Sequence, residues 1–134
     1  MSGYDVDRIA PVVVYLGYVP YTLTTGAATC LTHHMSTFRH VMMMRFKEGT
    51  TPEQARSALD GLGTMPDLVP GILRYEFGLD LGINPENPDL ILVADFASEE
   101  DWRAYLTHPE HTAMAESVIA PVRGEMTRVQ YLVE

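Results

Sequence analysis

The stretch Phe96-Ala97-Ser98-Glu99-Glu100-Asp101-Trp102-Arg103-Ala104-Tyr105-Leu106-Thr107-His108-Pro109-Glu110-His111 holds a strand end, a helix cap, an aromatic face and two histidines. Ser98 is a natural N-cap, since its hydroxyl can accept from an unsatisfied amide of the first turn. Glu99, Glu100 and Asp101 meet the positive end of the helix dipole. Trp102, Tyr105 and Leu106 share one helical face until Pro109, which rejects an interior position and disfavours helical geometry at the residue before it. Pro109 also suits the first position of a new helix, leaving His111 in that helix's first turn. Tyr105 and His111 can then face one cavity.

The flanking pattern extends this to a fold. Downstream, Thr127 to Val133 reads as a last strand. Upstream, Asp89 to Phe96 is the most apolar strand of the chain, and Gly78 to Pro88 has the Gly, Asn and Pro content of a connection. Ile72 to Phe77 alternates Leu73, Tyr75 and Phe77 against Ile72, Arg74 and Glu76 as a strand. Thr51-Pro52-Glu53-Gln54 opens a helix with a threonine cap, proline at N1 and glutamine at N3, as in a capping box. Ala55, Ala58, Leu59 and Leu62 follow at buried-stripe spacing, Gly63 weakens the helix and Pro70-Gly71 ends it. From His40 a first strand puts His40, Met42, Met44 and Phe46 on one face and Val41, Met43, Arg45 and Lys47 on the other. The order β-α-β-β-α-β is the split β-α-β pattern, an α+β ferredoxin-like sheet with both helices on one side. Leu90, Leu92 and Ala94 meet those helices. Ile91, Val93, Val41 and Met43 then form an uncovered apolar face, so a homodimer with two sheets packed face to face about a twofold is expected.

The chain has 134 residues, which fits one domain. Its 18 acidic against 9 basic residues give a net charge of -9, which disfavours nucleic acid and anionic membrane surfaces as partners. The single cysteine, Cys30, makes no internal disulfide, so a reducing, cytoplasmic setting is expected. Ile9 to Tyr18 is apolar, but Asp5 and Asp7 outweigh Arg8 ahead of it, Pro11 and Pro20 punctuate it, and it is too short to span a bilayer. Residues 1–37 read as an N-terminal extension of unassigned role, with strand-like Val12 to Tyr15 and Tyr18 to Leu23; Met35 is an alternative start. The extension could add an edge strand, cover a pocket mouth or cross to a partner.

His40-Val41 opening the first strand, Phe46-Lys47 closing it, Pro70-Gly71-Ile72, Phe96-x-Ser98 and above all Tyr105-x-x-His108-Pro109-x-His111 resemble the stress-responsive A/B barrel (Dabb) domain of the dimeric α+β barrel superfamily. The likeness covers about residues 38–134. Known members include plant stress-induced proteins and a polyketide cyclase type that closes a ring by intramolecular aldol condensation. The resemblance implies His111 as general acid/base, Tyr105 as its assistant and His40 as a polar group at a pocket floor. It departs from the cyclase pattern at Ala58 and Leu59, where bulky aromatics stand, and at Leu90, where a histidine stands.

Such a closure needs a base near neutral pH for a carbon-bound proton and a donor for the enolate oxygen, tasks that suit histidine and tyrosine. The implied activity is a cofactor-free cyclase or lyase on an apolar, ketone-bearing small molecule. Pocket walls would come from Met42 and Met44 on the first strand, Ala58, Leu59 and Leu62 on the first helix, and Leu90 and Leu92 on the third strand. The competing readings are a non-catalytic stress or ligand-binding dimer, in which His111 only bonds a nearby backbone group and Tyr105 is a core aromatic, and a cofactor-free monooxygenase. His108 is expected to cap or to face solvent. No metal is expected, because His-Pro-Glu-His is not the helical H-E-x-x-H pattern, which leaves only a three-histidine set of His40, His108 and His111. Cys30 lies in the extension beside only His33 and His34, and no phosphate-cradling glycine loop is present.

Overall fold

The computed structural model describes residues 36–134 and, ahead of them, a two-residue strand β1 (Tyr15–Leu16). The strand expected at 18–23, together with Cys30, His33 and His34, lies outside the described residues. Strand β2 (Thr37–Phe46) buries His40, Met42 and Met44 at every second position, the alternation read from the sequence, and begins three residues earlier than expected. Helix α1 (Pro52–Leu68) opens on the expected capping box: Thr51 Oγ1 accepts from the Gln54 amide at 3.2 Å and Gln54 Oε1 from the Thr51 amide at 2.9 Å. It ends soon after Pro66, with Val69 extended and Gly71 at φ +93° in a conformation that favours glycine.

Strand β3 (Ile72–Leu79) runs two residues past the expected end, and β4 (Leu90–Phe96) follows after the loop. Helix α2 (Glu99–Thr107) and helix α3 (Pro109–Met114) are divided at His108, as Pro109 requires. A π-helical turn (Ala115–Ile119) and a 3-10 turn (Ala120–Val122) then lead directly into β5 (Arg123–Val133). The sheet is antiparallel in the order β1-β3-β4-β2-β5, so β4 and β2 are central. The fold is the expected ferredoxin-like α+β arrangement, with β1 added at the outer edge of β3 through the pairs Tyr15↔Tyr75 and Leu16↔Arg74.

The helices cover one face of the sheet, where Tyr75, Phe96, Tyr105, Met44, Leu62 and Met65 are fully buried. The opposite face carries Val41 paired between Val93 and Val129, with Met43 beside Ile91. Ile91, Val129 and Tyr131 remain 42, 49 and 46% exposed there. On the same face the Arg39 guanidinium grips Asp95 with two bonds of 2.7 and 2.8 Å, a bidentate ion pair beside the Arg74–Glu76 pair of β3.

Strand β5 starts four residues ahead of the expected Thr127, and the reason is local. The pairing of β2 with β5 shifts between Met44 and Phe46, and Gly124 lets the two backbones close up at that irregularity. A Cβ at Gly124 would stand 2.6 Å from the Arg45 carbonyl oxygen and 3.2 Å from the Lys47 nitrogen, both backbone atoms that cannot swing away. Gly124→Ala should therefore cost about 1–3 kcal/mol in urea unfolding. An unchanged midpoint would show that this approach is not a constraint.

Candidate active site beneath the broken helix

The Ser98 hydroxyl accepts from the Asp101 amide at 3.2 Å, fixing the start of α2 and with it the inward face of Trp102 and Tyr105. At the other end His108 is extended, and its Nδ1 accepts from the Glu110 amide at 3.2 Å. His108 is thus a cap, as one of its two expected uses. The turn it makes brings His111 back over α2. His111 Nδ1 lies 3.2 Å from the Leu106 carbonyl oxygen, and because a carbonyl only accepts, Nδ1 must carry the hydrogen. In the neutral ring Nε2 then keeps its lone pair.

The His111 ring sits on Tyr105, with centroids 4.4 Å apart. Burial pushes His111 below the ordinary histidine range; the Leu106 bond opposes this, and the charges of Arg128 and His108 add to it. Tyr105 is 1% exposed, and its hydroxyl lies 2.9 Å from that of Tyr75. Two hydroxyls share one hydrogen bond there, so one O–H remains to be offered. Burial raises the Tyr105 phenol to about 12 and Tyr75 upward as well, so both stay protonated donors at neutral pH.

His40 projects from β2 toward the helices and is 3% exposed. Its Nδ1 accepts from Gln130 Nε2 at 2.9 Å, which puts the hydrogen of the neutral ring on Nε2. Burial, then the Arg128 charge, then His111 lower its pKa to about 4. Trp102 lies beside it at 5.6 Å between ring centroids, and the indole Nε1–H of Trp102 is buried with no partner among the described residues.

Tyr105 and His111 are therefore in ring contact, and His40 is near enough for the charge of His111 to act on it. Met42, Met44, Ala58, Leu62, Leu90 and Leu92 pack into one hydrophobic cluster, with Leu59 half-buried on its margin. Sequence reasoning assigned no role in the site to Tyr75, Gln130, Arg128 or Trp102. The inward alternation of β3 could have found Tyr75. The period of two along β5 could have found Arg128 and Gln130 once its register with β2 was known. Among the described residues no three His, Cys, Asp or Glu side chains are grouped to hold a metal ion, and no helix is long and apolar enough to cross a membrane.

Comparison with known proteins places this site in context. Residues 38–133 match the model of the Stress Responsive A/B Barrel Domain. A stress-response A/B barrel domain-containing protein, HS1 of Arabidopsis thaliana, is 27% identical over 79 residues, covering 58% of this chain and 72% of that protein. The crystal structure of a dimeric ferredoxin-like protein of unknown function from Thermobifida fusca superposes with a TM-score of 0.68 at 33% identity, covering 77% of this chain and 96% of that one. The hydroxynitrile lyase of Passiflora edulis superposes with a TM-score of 0.66 over 75% of this chain and 95% of its own, at 17% identity, a likeness of fold alone.

The depressed pKa of His40 has a direct consequence for stability. The unfolded chain takes up this proton near pH 6.5 and the folded chain only near 4. The contribution of His40 is therefore complete above pH 6.5 and is lost as pH falls from there toward 4. Urea denaturation of the protein and of His40→Gln at several pH values should give a stability difference that shifts against the wild type across this window. A constant difference would mean that His40 is not held neutral by the fold.

Proposed function

Because the chain belongs to the stress-responsive A/B barrel domain family, whose model matches residues 38–133, we propose that His111 and Tyr105 perform cofactor-free proton-transfer chemistry on a ketone-bearing small molecule, as an aldol-type cyclase or lyase. The observation that carries this reading is the anchored imidazole: Nδ1–H is committed to Leu106, the ring lies on Tyr105, and the lowered pKa keeps Nε2 unprotonated at neutral pH. In the reaction Nε2 takes a proton from the carbon next to a carbonyl. The enolate oxygen accepts the spare O–H of the Tyr105–Tyr75 pair. The enolate carbon attacks a second carbonyl of the same molecule, a carbon–carbon bond forms, and the imidazolium returns its proton to the new alkoxide. His40, held by Gln130, supplies a polar group on the β2 side, and Met42, Met44 and Leu92 of the buried cluster, with Leu59 on its margin, would be the apolar walls.

A non-catalytic ligand-binding dimer is the second reading. It is favoured by the bond that ties the Tyr105 phenol to Tyr75 within the core. In both readings the chain is a homodimer formed through the outer sheet face, where Val41, Met43, Ile91 and Val129 are apolar and incompletely covered. The dimeric T. fusca relative supports that assembly.

Two measurements test these proposals. His111→Ala should lower turnover of a linear β-polyketide by about 10²–10⁴-fold and Tyr105→Phe by about 10²–10³-fold, each with an unfolding transition that remains cooperative. Loss of stability, with wild-type protein that turns over no such substrate, would favour the binding protein. Ile91→Glu would bury an unpaired charge at the dimer face at a cost of roughly 3–5 kcal/mol, so sedimentation should show association weakened by a hundredfold or more. A dimer of wild-type strength would place the interface elsewhere.

A further inference from the structure

Strand β5 aligns Met126 with Met44, Arg128 with Met42 and Gln130 with His40, so one cation stands in an inward row between a methionine and the glutamine that holds His40. Arg128 is exposed, which places its guanidinium at the rim of the site rather than inside the core, on the edge strand of the sheet. The ion pairs among the described residues are Arg39–Asp95, Arg74–Glu76 and Arg103–Glu99, and none involves Arg128. What sets Arg128 apart from the other cations outside these pairs is its place in the row that holds His40 and Met42. Its charge also reaches both imidazoles, opposing the protonation of each.

We infer that Arg128 is a substrate-selecting residue: its guanidinium takes the carboxylate of the ligand at the rim while the ketone-bearing part enters toward His111 and Tyr105. The inference rests on the ligand site proposed above and narrows its substrate from a neutral ketone to a 3-oxo carboxylate. Arginine suits this task because its planar fork binds a carboxylate through two parallel bonds, and the rim position lets it do so without a buried charge left unpaired in the empty site. Met126, partly exposed beside Arg128 in the same row, is the adaptable apolar group against which an acyl chain would lie.

Trp102 provides the readout, being the chain's single tryptophan and lying beside His40. Titrations of its fluorescence with 3-oxooctanoate and with methyl 3-oxooctanoate compare the same chain with and without the charge. Wild-type protein should bind the carboxylate at least about tenfold more tightly than the ester, the range of one charge-assisted hydrogen bond. Arg128→Gln should bring carboxylate binding down to the level of the ester, and Arg128→Lys should keep part of the preference. Raising salt should narrow the gap in the wild type and leave Arg128→Gln little changed. Equal binding of acid and ester by the wild type, or a preference that survives Arg128→Gln, overturns the role of Arg128 and leaves the ligand site standing. Binding of neither molecule overturns the ligand site, and this inference with it.

Discussion

One leftover carbonyl organises the region in which the candidate chemistry sits. In an uninterrupted helix the Leu106 oxygen would accept from the amide four residues on, which belongs to Glu110. That amide is instead bonded to His108 Nδ1, and Pro109 has no amide to give. The Leu106 oxygen is taken by the His111 ring, and the Tyr105 oxygen by the His108 amide at 3.2 Å. A helix interrupted by proline thus fixes the tautomer and the direction of an imidazole through a backbone carbonyl, where a carboxylate would otherwise be needed.

What the sequence disclosed follows the same division between near and far. The Thr51 and Ser98 caps, the break at Pro109 and the alternation along β2 depend on neighbours within four residues, and these were legible. The Tyr105–Tyr75 and His40–Gln130 bonds join positions 30 and 90 residues apart, so no local pattern could announce them. The start of β5 was hidden for a different reason. Gly124 and Glu125 interrupt the apolar alternation, and the backbone contact that requires the glycine belongs to another strand. The resemblance to a family supplied the roles expected of His111, Tyr105 and His40, but said nothing of Arg128, which the register of β5 against β2 brings into view.

The sheet separates two kinds of polar arrangement. On its covered face the buried polar groups are neutral: phenols raised by burial, and imidazoles lowered by it, paired with hydroxyl, amide or carbonyl groups, while the cation Arg128 stays exposed at the edge strand. On its open face the polar groups are ion pairs, Arg74 with Glu76 and Arg39 with Asp95, and in the latter the guanidinium is held charged by the carboxylate. The imidazoles and phenols whose protonation burial shifts are kept on the covered side.

The small strand β1 has an effect out of proportion to its two residues. By pairing with Tyr75 and Arg74 it occupies the middle of the margin that β3 would otherwise expose. A fibre of sheets joined rim to rim needs two open rims on every copy. With one obstructed at Arg74 and Tyr75, accretion of that kind is limited to the free rim of β5, and the ion pair of Arg74 with Glu76 adds charge to the rim that β1 blocks.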